Sequence, residues 1–174
     1  LEATARAPAR VSHLVLVGTA YPMRVSPALL DAALNQPLEA IGKVARYSHS
    51  REAVQAAQTA QTARPGAPTL IDDTRTLMEQ VLASNPQAPL FHTGFQACDQ
   101  YRGGEAAMEK VDCPTLFLLG RQDVMTPPEA AAGLQARARH GRTALIDAGH
   151  ALMADNPDGV MAALREFLPV APSR

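Results

Sequence analysis

The spacing of apolar residues divides the chain into three zones. In the first zone, residues 14–17 form the unbroken β-favouring run LVLV, which ends at Gly18. An apolar run without alternation predicts a strand that is covered on both faces, as in a parallel sheet. The preceding residues, LEATARAPAR, are typical of the last turns of a helix.

The middle zone, residues 21–109, has no comparable strand, and prolines cut it into helical pieces. Ser26 as N-cap and Pro27 at the first helical position predict a helix that Pro37 ends. The stretch 48–68 is rich in Gln, Ala and Thr and poorly patterned, which is typical of a mobile helix or a linker. Apolar residues near helical spacing predict two further helices, in residues 69–86 and 89–101.

The last zone alternates strands and helices. A buried strand in residues 113–120 precedes a helix that begins with a capping box, in which Thr126 is the N-cap and Glu129 the third helical residue. A second strand in residues 142–147 precedes a helix capped by Asn156. Strand, helix and strand with short loops form a βαβ unit, so the two strands are expected to be parallel with a right-handed crossover.

Two polar side chains follow the two strands of this unit. Asp123 lies three residues beyond the first strand, and His150 lies at a similar distance beyond the second, in a glycine turn. The carboxyl ends of parallel strands share one edge, where ligand sites form, and neighbouring strands are about 4.8 Å apart. Asp123 is therefore expected to bind one nitrogen of His150 and to fix its tautomer, leaving the other nitrogen to take a proton. This order of acid and base predicts a catalytic pair.

Composition narrows the classes of partner. The 174 residues suffice for one domain with a core, and 47% of them are hydrophobic. The net charge of −1 gives no long-range attraction to nucleic acid or to an anionic membrane surface. No stretch approaches the roughly 20 apolar residues that span a bilayer. Cys98 and Cys113 form no CxxC motif, so we predict reduced, partly buried thiols in a cytoplasmic protein. Nothing in the sequence indicates a metal ion or an organic cofactor.

The last zone resembles the final third of the α/β-hydrolase fold family. Its segments DCPTLFLLGRQDVMTPPEAA and LIDAGHALMADNPDGVMAALREFL carry the family's G-x-x-D turn after one strand and its G-H turn after the next. ARAPARVSHLVLVGTA resembles the end of the family's nucleophile helix and the strand after it. The resemblance implies the C-terminal part of a doubly wound, mostly parallel α/β sheet with a helical cap insertion. It places hydrolase core at 1–22, cap at 23–109, and core with the acid and base loops at 110–174.

The family carries its nucleophile on a G-x-S-x-G elbow, and no such motif occurs in this sequence. The resemblance, to lidded serine hydrolases of the esterase type, implies a nucleophile and an oxyanion hole upstream of Leu1. An N-terminal segment or a companion chain would then complete the sheet. The chain alone is expected to be inactive, with an uncovered sheet edge that invites aggregation. The implied reaction is hydrolysis of a carboxylic ester or similar acyl bond, with His150 as base and Asp123 orienting it.

Four apolar residues are predicted to contact a small apolar ester-like substrate: Phe91, Phe95, Met125 and Leu152. Two alternatives to a serine hydrolase stay open. One is a relative with an Asp nucleophile, of the dehalogenase or epoxide hydrolase type. The other is a non-catalytic, hydrolase-like protein that binds a ligand or has a regulatory role.

Overall fold

The computed structural model describes residues 1–169, and the last five residues of the predicted core segment, 170–174, lie outside that description. Three parallel strands form one sheet in the order β1 (Leu14–Val17), β2 (Thr115–Gly120) and β3 (Gly141–Ile146). The strand predicted from LVLV and the parallel pairing predicted for the βαβ unit are both confirmed. The fold is of the α/β class, as predicted.

Helices occupy most of the remaining chain. Before β1 lie α1 (Glu2–Arg6) and a 3₁₀ turn (Pro8–Arg10). Between β1 and β2 lie α2 (Pro27–Asn35), α3 (Pro37–Tyr47), α4 (Arg51–Ala63), α5 (Leu70–Ser84), α6 (Leu90–Gln100) and α7 (Gly104–Met108). A 3₁₀ turn (Pro128–Ala131) and α8 (Ala132–Gln135) separate β2 from β3, which is followed by α9 (Leu152–Asp155) and α10 (Pro157–Phe167). We call the segment from α2 to α7 the helical region.

Side-chain caps start several helices where the sequence predicts them. The Ser26 hydroxyl accepts a hydrogen bond from the backbone N–H of Leu29, at 3.2 Å, and α2 ends just before Pro37. Asn156 caps α10 by accepting from the backbone N–H of Gly159, at 2.9 Å. These caps satisfy N–H groups that have no partner inside the helix, which is why such residues favour helix starts.

The poorly patterned stretch 48–68 contains α4, which Ser50 caps by accepting from the backbone N–H of Ala53. Within α4 only Ala57 is buried. The helix consists mainly of Gln, Ala and Thr, so it has few strongly apolar side chains to reveal its period, which explains the weak signal in the sequence.

The prediction of a helix that begins at Thr126 is wrong. A 3₁₀ turn and the short α8 stand in its place, and the capping box with Glu129 does not form. Pro127 has an extended backbone, with φ −59° and ψ 151°, because the proline that follows it disfavours the helical conformation. The Thr126 hydroxyl binds instead to groups of the neighbouring loops, described below.

Strand β2 forms the centre of the core and is buried along its whole length. Its side chains alternate between two apolar clusters. One cluster comprises Phe117 and Leu119 with Met108, Val111, Ala131 and Leu134. The other comprises Leu116 and Leu118 with Ile146, Ala148, Leu152 and Val160. Strand β1 contacts both clusters but is only partly covered, and its Val17 is 42% exposed.

The helical region has a small cluster of its own, in which Leu29, Phe91 and Phe95 pack against Ala32, Ala33 and Ala40. The junction between α3 and α4 (Ser48–Ser50), called the α3–α4 junction below, is also buried. Cys98 and Cys113 are free thiols and partly buried, as predicted. No helix in residues 1–169 has the length and apolar character needed to cross a membrane.

Candidate active site

The structure brings Asp123 and His150 together at the carboxyl edge of the sheet. The loops that carry them leave β2 after Gly120 and β3 after Ile146, which are paired neighbours in the parallel register. Nδ1 of His150 lies 2.8 Å from Oδ2 of Asp123. The side chain of Asp123 is fully buried, whereas that of His150 is 29% exposed.

Backbone groups of its own loop hold the Asp123 carboxylate. Oδ1 accepts hydrogen bonds from the N–H groups of Met125, at 2.9 Å, and Thr126, at 2.8 Å. Burial raises the pKa of Asp123, but the hydrogen bond and charge of His150 and the hydrogen bonds from Thr126 outweigh it, so the pKa lies below its usual value. Asp123 is therefore an ionised acceptor at neutral pH.

The hydroxyl of Thr126 joins three parts of the site. Its oxygen lies 2.8 Å from the Gly18 carbonyl oxygen, 2.8 Å from Oδ2 of Asp123 and 2.9 Å from Nδ1 of His150. A hydroxyl has one proton, so it donates to one oxygen at a time and can accept from Nδ1–H of His150. The surroundings of Nδ1 thus favour the tautomer in which Nδ1 carries the proton and Nε2 is the acceptor.

Gly18, the residue after β1, fits against the ring of His150. Its φ of +53° lies in the left-handed region, which glycine adopts without strain. A Cβ atom at this position would lie 3.2 Å from Nδ1 and 3.3 Å from Cε1 of the ring. The end of β1 therefore contributes both a hydrogen-bond acceptor and the space that the histidine ring occupies.

The second ring nitrogen of His150 differs from the first in its surroundings. Within residues 1–169, no group hydrogen bonds to its Nε2. An imidazole whose Nδ1 is fixed by a carboxylate and whose Nε2 is open can accept a proton from a reacting group and return it. This arrangement is suited to general acid–base chemistry.

A cavity of about 510 Å³ lies between the helical region and the Asp123 loop. Its apolar wall includes Met23, Leu29, Val44, Phe95, Val124 and Met125. Thr126 also lines the cavity, and its hydroxyl contacts both Asp123 and His150. The cavity is therefore adjacent to the histidine–aspartate pair and suits a mostly apolar ligand.

Two of the four predicted substrate contacts, Phe95 and Met125, line this cavity. Phe91 packs within the helical region against the alanine cluster and is not part of the cavity wall. Leu152 has no exposed surface and belongs to the core beside β2. The structure does not bring these two residues to the cavity.

Sequence reasoning missed the contributions of Thr126 and Gly18. A usable signal was present for Thr126, because an Asp side chain often accepts from the backbone two and three residues further on. The signal for Gly18 was its position directly after a strand, where a positive φ is common in turns. Within the described part of the chain, no three His, Cys, Asp or Glu side chains cluster as metal ligands would.

The fold is similar to those of several solved structures, although the sequence itself has no significant match. No protein-family model and no curated protein matches the sequence significantly. Among solved structures, the chain is similar to a thermophilic esterase, with a TM-score of 0.68 and 20% identity over 95% of this chain and 59% of that one. It is also similar to the enol-lactonase of Burkholderia xenovorans LB400, with a TM-score of 0.71 and 15% identity over 94% of this chain and 58% of that one.

A third similar structure is MGS-M2, an α/β-hydrolase from a Medee basin deep-sea metagenome library, with a TM-score of 0.63 and 17% identity over 98% of this chain and 62% of that one. The chain thus spans about three fifths of the length of the structures it matches. The chain has a partial α/β-hydrolase fold, which confirms the resemblance read from its turn motifs.

Proposed function

We propose that this chain supplies the acid and the base of an α/β-hydrolase that cleaves a carboxylic ester or a similar acyl bond. His150 is the general base and Asp123 orients it. The nucleophile is a serine on a strand–helix elbow, upstream of Leu1 or on a companion chain. The 2.8 Å contact between Nδ1 of His150 and Oδ2 of Asp123 is the observation that carries this proposal.

The mechanism begins when the serine oxygen attacks the acyl carbon and Nε2 of His150 takes the serine proton. The imidazolium that forms is stabilised by the ionised Asp123 carboxylate. It then gives the Nε2 proton to the leaving alkoxide, and the acyl group stays on the serine. In the second half, Nε2 takes a proton from water, which attacks the acyl carbon of the acyl-enzyme. The imidazolium returns this proton to the serine oxygen as the acyl–serine bond breaks and the carboxylic acid leaves. Such acid–base work contributes typically about 10²–10⁴-fold to the rate.

The helical region acts as the cap in this proposal, and the cavity beneath it holds a small apolar ester-like substrate. Phe95 and Met125 contact the substrate from opposite sides of the boundary between cap and core. The esterase and lactonase among the similar structures support an acyl substrate. The net charge of −1 favours neither nucleic acid nor an anionic membrane as partner, and the two free thiols favour a cytoplasmic location.

The test is His150→Ala in the full-length protein, assayed with a short-chain p-nitrophenyl ester. We expect kcat to fall by about 10³-fold or more, because the nucleophile loses its base. His140→Ala is the matched control, since His140 is exposed at the opposite end of β3 and should leave kcat unchanged.

Undiminished turnover in His150→Ala would remove the proposed function. No turnover in the unsubstituted full-length protein would instead favour a non-catalytic ligand-binding protein. Labelling with a fluorophosphonate identifies the nucleophile, because this reagent modifies an activated serine. Esterase turnover without labelling would instead point to an Asp nucleophile.

A further inference from the structure

A second histidine–aspartate pair lies inside the molecule. Nδ1 of His49 is 2.6 Å from Oδ1 of Asp155, and the two side chains are 0% and 1% exposed. His49 belongs to the α3–α4 junction, and Asp155 is the last residue of α9, five positions after His150. The proposed reaction uses neither residue.

The carboxylate of Asp155 joins the α3–α4 junction to the loop of His150. Its Oδ2 accepts a hydrogen bond from the backbone N–H of Ser50, at 2.7 Å, and one from that of Gly149, at 2.8 Å. Gly149 directly precedes His150. One buried carboxylate thus holds the backbone of the junction and the backbone beside the proposed base at the same time.

A direct backbone contact holds the other flank of His150. The N–H of Ala151 donates to the Ser48 carbonyl oxygen at 2.7 Å. The junction and the loop also approach closely, since a Cβ atom on Gly149 would lie 2.6 Å from the carbonyl carbon of His49. The N–H group of Ala151 is therefore bound by the junction itself, and that of Gly149 is bound by the carboxylate that also binds the junction.

The far nitrogen of His49 continues the connection into the helical region. Nε2 lies 2.9 Å from the hydroxyl oxygen of Thr74 in α5. Both nitrogens of His49 are engaged, so this ring has no free position for proton exchange with a substrate. Its contacts fix its orientation and, through it, the position of the Asp155 carboxylate.

We propose that His49 and Asp155 are positioning residues for His150. Asp155 binds the backbone before His150 directly, and the pair fixes the α3–α4 junction, whose Ser48 carbonyl binds the backbone after it. The catalytic part of this inference rests on the proposed function. Burying an ionisable pair seldom adds stability by itself, because desolvation offsets the attraction. Small displacements of a catalytic group lower its rate strongly, so a rigid anchor for His150 has a direct catalytic consequence.

The experiment compares two amide substitutions of His49 in the full-length protein. His49→Asn places its side-chain N–H₂ where Nδ1 lies and retains a donor to Asp155. His49→Gln places its N–H₂ nearer the position of Nε2, so it retains the contact with Thr74 and loses the donor to Asp155. His92→Gln is the matched control, because it removes the 3.0 Å contact of that histidine with the Leu30 carbonyl oxygen.

The first readout is hydrogen exchange at the amides of Gly149 and Ala151, which needs no activity. We expect exchange at both amides to become about tenfold faster or more in His49→Gln, and to stay near the parent rate in His49→Asn and His92→Gln. Amides within β2 should be unaffected in all three variants. Equal exchange at Gly149 and Ala151 in the Gln and Asn variants would overturn the proposed anchor.

The second readout is turnover of the p-nitrophenyl ester. We expect His49→Gln to lower kcat by about 10–100-fold with little change in KM, as misplacement of His150 would. A normal kcat in His49→Gln, together with a large loss in His150→Ala, would refute the positioning role and leave the proposed function intact. Normal turnover in His150→Ala would refute the proposed function, while the exchange rates would still decide whether the anchor exists.

Discussion

The two histidine–aspartate pairs contain the same groups at similar distances, 2.8 Å for Asp123 with His150 and 2.6 Å for His49 with Asp155. They differ at the second ring nitrogen. In His150 it has no hydrogen-bond partner within the described residues and the side chain is partly exposed. In His49 it lies 2.9 Å from a threonine hydroxyl and the side chain is buried. The surroundings of the second ring nitrogen therefore distinguish the two pairs. The pair with the open nitrogen is suited to proton transfer, and the pair with both nitrogens bound is suited to fixing the backbone.

The carboxylates differ as well in how they are held. Asp123 accepts from N–H groups two and three residues further along its own loop. Asp155 accepts from Ser50, in a distant part of the sequence, in addition to Gly149. Backbone groups of its own loop thus hold the Asp123 carboxylate, whereas the Asp155 carboxylate ties two distant segments of the chain together.

The largest expected contrast between the pairs comes from replacing each aspartate by asparagine. Asp123→Asn should lower kcat by about 10³-fold or more, because the amide N–H₂ facing Nδ1 favours the tautomer that carries its proton on Nε2. Asp155→Asn should have a much smaller effect, because His49 can change tautomer and donate to Thr74. The measurement is kcat for ester hydrolysis in the full-length protein. Losses of the same size in both variants would show that the two pairs do not differ in role.

A smaller effect on kcat is expected from a substitution at Gly18, where the end of β1 contacts His150. Gly18→Ala should lower the free energy of unfolding by about 1–3 kcal/mol, because an L-residue is strained at its positive φ. It should also lower kcat, because the new methyl group would lie 3.2 Å from Nδ1 of His150 and displace the ring. Gly66→Ala is the control, because Gly66 has a φ of +85° and open space around it. Urea unfolding should detect strain in both variants, and turnover should change only in Gly18→Ala. Reduced turnover in Gly66→Ala would contradict this reasoning.

The smallest effect concerns acid stability. The folded state lowers the pKa of Asp123, so the stability that this group contributes is present above its unfolded value of about 3.9 and is lost as the pH falls through the lower folded value. Urea unfolding between pH 6 and pH 2 should show this loss below about pH 4. Asp123→Asn should flatten the dependence in that window. An unchanged slope in the variant would mean that other carboxylates account for the loss.

The sequence predicted the first pair because its determinants are local. Two apolar runs, each followed by a turn, placed Asp123 and His150 at one edge of a parallel sheet. The second pair was missed because it forms only where the α3–α4 junction packs against the loop of His150. No local sequence pattern predicts that long-range contact. Leu152 was misplaced for a related reason, since an apolar residue beside a predicted catalytic histidine is equally compatible with the core. The nucleophile and the boundaries of the cap stay predictions.

Part of the cavity wall and the hydrogen bonds beside His150 come from different segments of the helical region, although Val44 of α3 also lines the cavity. Leu29 and Phe95 line the cavity from α2 and α6, whereas the hydrogen bonds beside His150 come from the α3–α4 junction. Exchanging a wall residue on α2 or α6 for a larger or smaller one alters the room for ligand and leaves those bonds in place. If the chain has the proposed function, its substrate preference can therefore change by single substitutions while the backbone beside His150 stays fixed.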